Sequence, residues 1–270
     1  MAILLRIGLT PIAFALVSRA QSRFGDWIGG RLIGLPLTTG PFLLTVCMTS
    51  SRTTAAHAAT GVTNGQMAVV IFCSAYAWTA RRMRPLRATL SSLALALAAV
   101  VALSSFAGIW SAAGAVWLTI AASLILWPWR RGDAQADTAA PSNSATMVQR
   151  ALISTGVVAT MSTLVPILGA RPAGVLSSAP VLLSIMLPGT HRLTGAAGAA
   201  AMARGTIVSM AATVAFSATL ASTLPQMPAA PALLISAAAL GALLAATPLL
   251  DRGLAALSPG SARAHAPAHP

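Results

Sequence analysis

Lysine and glutamate are absent from this 270-residue chain: all 17 cationic residues are arginine and all four acids are aspartate. Charged residues make up 8% of the sequence and hydrophobic ones 56%, where a water-soluble domain carries about a quarter charged. So little polar surface excludes a soluble globule of this size and marks an integral membrane protein. The missing lysine also excludes a phosphate-cradling Gly-rich loop with its Lys and a Ser-x-x-Lys nucleophile. No carboxylate pair lies in an apolar run and no cluster has metal-ligand spacing. The sequence therefore predicts neither an enzyme nor a metal or other cofactor, and without a nucleotide site no self-powered pump. Cysteine is nearly absent too. Cys47 and Cys73 end two successive antiparallel apolar segments, which sets them at opposite depths, beyond the roughly 7 Å Cα separation that a disulfide tolerates.

What charge there is runs one way, with a net +13 and a pI near 12.0. The arginines are scattered between apolar runs and not gathered on one face with aromatics, so they read as topology signals at an anionic leaflet and not as a nucleic-acid surface. Apolar stretches long enough for a bilayer of about 30 Å fall near 2–18, 29–49, 54–78, 88–106, 109–128, 148–168, 171–188, 194–222 and 230–250. The expected fold class is thus all-α, a polytopic helical bundle of about nine spans. Residues 1–129 form a first membrane repeat plus a linking span, 130–147 a cytoplasmic linker, 148–257 a second repeat, and 258–270 a disordered tail. Arg6 inside the first apolar run, with no charged segment ahead of it, favours a retained span over a signal peptide. With every span crossing, Arg19, Arg23, Arg81, Arg82, Arg84, Arg87, Arg130, Arg131, Arg150, Arg192, Arg252 and Arg263 share one side and only Arg6, Arg52 and Arg171 face the other. The positive-inside rule then puts the amino terminus outside and the carboxyl terminus in the cytoplasm of a bacterial inner membrane. Trp110, Trp117, Trp127 and Trp129 flank the fifth span as interface anchors.

Two stretches resemble each other: GGRLIGLPLTTGPFLLT from Gly29 and LGARPAGVLSSAPVLLS from Leu168. Matching Gly29, Arg31, Gly34, Thr38-Thr39 and Pro41 to Gly169, Arg171, Gly174, Ser177-Ser178 and Pro180 extends to Arg52 with Arg192 and Gly65 with Gly205. Five spans separate the copies, so they run in opposite directions, as in the inverted-topology repeats of secondary transporters, whose binding site lies between the repeats near the midplane. Proline removes a donor and pushes its predecessor out of helical angles, which makes Gly40-Pro41 and Ala179-Pro180 the expected breaks. Broken backbone at membrane depth needs protein or a wet cavity around it. The hydroxyls of Thr38, Thr39, Ser177 and Ser178 are the nearest groups for that duty, and the positive ends of the two following half-helices point at an anion.

Arg204 lies midway along an apolar segment, and Asp26, Asp133, Asp137 and Asp251 all fall at span edges or in loops. An arginine at that depth costs about 2.5 to 3.5 kcal/mol, which suggests an arriving anion as its counter-ion. Asn64 and Gln66, at the same level of the first repeat, read as polar groups facing the bundle interior, for a substrate or for helix contact. His57 is placed to carry a coupling proton or to bond a helix carbonyl, and Arg31 and Arg171 to gate the two mouths. The Gly30–Gly34 and Gly61–Gly65 spacings fit close helix contact. Together these residues predict a secondary transporter for a small anion, an organic carboxylate or an inorganic phosphate-type ion, driven by a proton or sodium gradient, with the lipid bilayer as its other partner. A passive anion channel, a lipid-phosphate translocase and a non-transporting scaffold are the alternatives.

Overall fold

The computed structural model describes residue 23 and residues 25–36, 39–103, 108–128 and 167–256, and among these every regular element is a helix. In chain order they are α1 (Asp26–Ile33), α2 (Thr39–Thr49), α3 (Arg52–Thr79), α4 (Pro85–Leu103), α5 (Ile109–Ile125), α6 (Ala170–Ser177), α7 (Val181–Thr223) and α8 (Ala229–Ala256). α7 is two helices in series, because Gly195 takes φ 79° and ψ −176°, a left-handed setting that glycine alone adopts without strain. The expected first span, the span at 148–168 up to residue 166, the linker and the tail lie outside the described residues. By length and composition, two stretches among the described residues can cross a membrane, Ala170–Thr223 and Ala229–Thr247.

The chain repeats itself at a fixed spacing of 144 residues. Gly25 and Gly169 precede α1 and α6 with φ values of 90° and 85°. α3 starts at Arg52 and ends at Thr79, and the second part of α7 occupies 196–223; α4 starts at Pro85 and α8 at Ala229. This corrects the expected spacing of about 140. The matched positions are Gly30 with Gly174, Pro36 with Pro180, and Gly61 with Gly205. Arg31 and Arg171 are not equivalents, since Arg171 stands where the first copy has Trp27. The slip has a simple cause: four residues are close to one helical turn of 3.6, so the apolar faces align in either register.

Contacts between the copies are reciprocal. α1 packs on α7 and α6 packs on α3, each short helix lying on the long helix of the other copy. A methyl group on Gly205 would overlap the Trp27 carbonyl oxygen, and one on Gly61 would overlap that of Arg171, the equivalent contact. Gly30 meets Met202 while Gly174 meets Ala58, again equivalents. A residue that meets its partner's counterpart in this way is the mark of a two-fold interface. The long helices α3 and α7 also pack together. Thr63 bonds Ser217 whereas Gln66 reaches Thr213, so position increases along α3 as it decreases along α7: the two run antiparallel.

Burial follows the same plan. Phe42 and Leu43 of α2 share a buried cluster with Leu220 of α7 and Leu224 at its C-cap, and Met186 and Leu187 share the other with Tyr76 and Ala80. α4 leans on α3, α8 on α7, and α5 on both long helices, where Trp117 Nε1 donates to the Ala211 carbonyl at 3.2 Å. Of the expected tryptophan anchors, Trp110 and Trp117 are exposed, but Trp127 is buried in the core, and Trp129 lies outside the described residues. Gly61→Val and Gly205→Val should each destabilise the fold by about 1 to 3 kcal/mol through overpacking, read as a lower Tm in detergent. Gly241, whose Cβ position is open, should tolerate alanine without loss and gain helix propensity.

Candidate functional site

Both copies break after their short helix. α1 ends with Gly34 at its C-cap, and the chain passes Pro36 before α2 begins at Thr39. α6 ends at Ser178, and Ala179 and Pro180 lead into α7. Only the second break lies where the sequence places it. The first falls at Gly34–Pro36, not at Gly40-Pro41: Gly40 N–H already closes a helical bond on the Pro36 carbonyl at 2.8 Å, as Ser184 does on Pro180 at 2.8 Å, and Pro41 sits inside α2. A proline in the first turn is tolerated because its missing N–H has no intrahelical acceptor there, so Pro41 does not interrupt the helix.

Hydroxyl bonds run between each break and the long helix it lies against. Thr206 Oγ1 donates to Gly30 O at 3.1 Å and Thr213 Oγ1 to Gly34 O at 2.6 Å. Ser178 Oγ donates to Val62 O of α3 at 3.1 Å, and Ser177 Oγ to Gly174 O at 2.7 Å. Such bonds tie each break to the opposite copy's long helix or close its own last turn, as buried carbonyls require. Thr206 and Thr213 are members that sequence reasoning missed; their signal was a Thr at a seven-residue, two-turn spacing on one helix face.

The two breaks meet at one cavity of about 50 Å³, lined by Ile33, Gly34, Leu35, Thr39, Gln66, Val69, Ser178, Ala179, Pro180, Leu182, Leu183, Met210 and Thr213. Five pairs of equivalent positions are in that wall: Gly34 with Ser178, Leu35 with Ala179, Thr39 with Leu183, Gln66 with Met210, and Val69 with Thr213. The cavity therefore lies where the two copies are related. The first turns of α2 and α7 face it through Thr39 and through Leu182 and Leu183. Pro180 gives α7 no side-chain cap, and the first bond of the helix is Ser184 to Pro180, which leaves the Leu182 and Leu183 N–H groups without an intrahelical acceptor. Gln66 is 1% exposed. Its Nε2 donates to Thr213 O at 3.4 Å and Ser217 Oγ at 3.3 Å, while its Oε1 has no hydrogen-bond partner among the described residues.

Thr39, Gln66, Ser178, Ala179 and Pro180 are thus brought together as the sequence suggests. Ser177, Gly40 and Pro41 neighbour that wall without lining it, and Thr38 lies outside the described residues. Asn64 is half-buried on α3 and His57 is exposed on its outer face, neither in the cavity wall. Arg204 is not there either. Its guanidinium lies 5.0 Å over the Trp27 ring, with Arg31 5.8 Å from the same ring, and Arg31 Nη2 donates to Thr247 Oγ1 of α8. Arg171 is half-buried on α6, with its carbonyl against Gly61. Asp26, expected at a span edge, is fully buried in the protein beside Gly198 and accepts from Thr194 Oγ1 at 2.7 Å, next to the start of the second part of α7.

No family model matches this chain, and neither a curated protein nor a solved structure matches it.

The stack of Arg204 on Trp27 should hold α1 against α7. In a double-mutant cycle of Arg204→Gln and Trp27→Leu, the coupling measured from unfolding in detergent should reach about 0.5 to 2 kcal/mol. Additive losses would mean that the ring and the cation do not interact.

Proposed function

We propose that this protein is a secondary transporter that carries a small anion across a bacterial inner membrane by alternating access, built from two inverted repeats within a bundle of about nine spans. The observation that carries the proposal is the cavity at which both helix breaks meet. Transporters with inverted repeats place substrate between the repeats, at discontinuous helices whose half-helix N-termini point at anionic groups. Support for the inversion comes from the equivalent long helices, α3 and residues 196–223 of α7, which pack antiparallel. The membrane assignment rests on the outward faces of α4, α5 and α8, where Leu90, Leu95, Leu97, Leu118, Ile125 and Leu234 are all more than half exposed. Apolar side chains so placed suit lipid and not water.

The preference for an anion follows from the cavity wall. It holds the first turns of two helices and no carboxylate, and helix N-termini favour negative charge. Arg204 is outside this site. A proton or sodium gradient supplies the energy in this scheme.

Topology and transport can be tested separately. Arg82 and Gln226 are equivalents in the two copies, so single cysteines there should react with an impermeant maleimide from opposite sides, Arg82→Cys from the cytoplasm. Reaction of both from one side would remove the inverted arrangement. In proteoliposomes, uptake of the substrate from a panel of small carboxylates, phosphates and sulfur oxyanions should saturate. Current that rises in proportion to concentration would instead make the protein a channel.

A further inference from the structure

We infer that the central cavity selects an anion that carries its own hydrogen-bond donor over an anion of the same shape that has none. The inference deepens the transporter proposal and rests on it for the assignment of the cavity as the substrate site.

The backbone around the cavity is repeated, yet its polar side chains are not. In the pairs Gly34 with Ser178, Thr39 with Leu183, Gln66 with Met210, and Val69 with Thr213, one member alone brings a polar side chain. An occupant therefore meets a different chemistry from each copy and sits in one orientation. Two of those polar groups are already engaged, Thr213 on Gly34 O and Ser178 on Val62 O. The Gln66 carboxamide has its direction fixed, because the Thr213 carbonyl can only accept and so must face Nε2. That turns Oε1, an acceptor, away from those partners, buried and with no hydrogen bond among the described residues.

Two requirements thus fall on one ligand. Leu182 and Leu183, wall residues in the first turn of α7 whose N–H groups have no intrahelical acceptor, bring the positive end of a helix to the cavity and favour a negatively charged acceptor. Gln66 Oε1 asks for an N–H or O–H, and a donor-free anion would set lone pairs against it. A buried acceptor left without a donor is costly enough to separate two ligands of equal size by about tenfold or more in affinity. The volume of about 50 Å³ holds a few waters or an ion of about four or five heavy atoms. Protonated monoanions of that size meet both requirements.

Calorimetric titration of the purified, full-length protein decides it, with two pairs of probes matched in shape and charge. Bicarbonate and nitrate are planar, dihydrogen phosphate and perchlorate tetrahedral, and only the first of each pair carries O–H. The wild-type protein should bind the donor-bearing member of at least one pair about tenfold tighter or more. Gln66→Met installs the residue that the other copy carries at 210 and removes the acceptor at similar volume. It should bring the ratio to within about twofold by weakening the donor-bearing ion alone. Equal binding of both members by the wild-type protein overturns the donor requirement and leaves the anion site standing. Selectivity that persists in Gln66→Met overturns the role of Gln66. Binding of none of the four, a cavity that holds water only, overturns the inference together with the anion preference, while the labelling of positions 82 and 226 still judges the repeat.

Discussion

Backbone contact at glycine fixes the rest of this structure. Gly30 of α1 and Gly34 at its C-cap lie against α7, and Gly61 and Gly65 of α3 lie against α6, so close that an added methyl would strike a carbonyl oxygen in each case. Without those contacts the short helices could not bring their ends to the level of the long helices' middle residues. The hydroxyl bonds from Thr206, Thr213 and Ser178 to backbone carbonyls span the same short distance. In the lipid setting proposed for this protein, where apolar burial between helices is weak, close packing and such hydrogen bonds are the forces available for association.

The breaks follow from this arrangement and not from proline alone. Pro36, Pro41, Pro180 and Pro188 all lie in or near helices, but of these only Pro36 and Pro180 stand at a break, and there a hydroxyl bond joins the two copies: Thr213 Oγ1 donates to Gly34 O at the first, and Ser178 Oγ donates to Val62 O at the second. Pro41 and Pro188 stay within helices. Gly195 makes a third discontinuity, and there the buried carboxylate of Asp26 sits beside the start of the following helix, where negative charge is favoured. The first copy answers the same need locally, with Ser51 Oγ accepting from Thr54 N–H at 3.2 Å.

The two copies share one backbone plan but set different side chains around the cavity. Gln66 and Thr213 come from opposite copies and bond each other across the interface, so the polar side of the cavity is assembled from both. The arginines occupy another part of the fold. Arg31 and Arg204 share the Trp27 ring, which stands at the position of Arg171 in the second copy.

Composition, the apolar periodicity and the small-residue spacings by themselves determined the all-helical class, the extents of α3, α4 and α5 to within a few residues, a likeness between two stretches of the chain, and glycine contacts at 30, 34, 61 and 65. They also named Thr39, Gln66, Ser178, Ala179 and Pro180. The register of the duplication was not legible, because a slip of four residues leaves a helical face almost unchanged and only the exchanged contacts of α1 with α7 and α6 with α3 separate the two alignments. Nor was the place of Arg204 or Asp26: hydropathy reports depth along a helix but not the direction a side chain faces. Tertiary packing decided that Arg204 lies over Trp27, that Asp26 is buried, and that both breaks open on one cavity, since each depends on which helix the short elements of the other copy come to rest against.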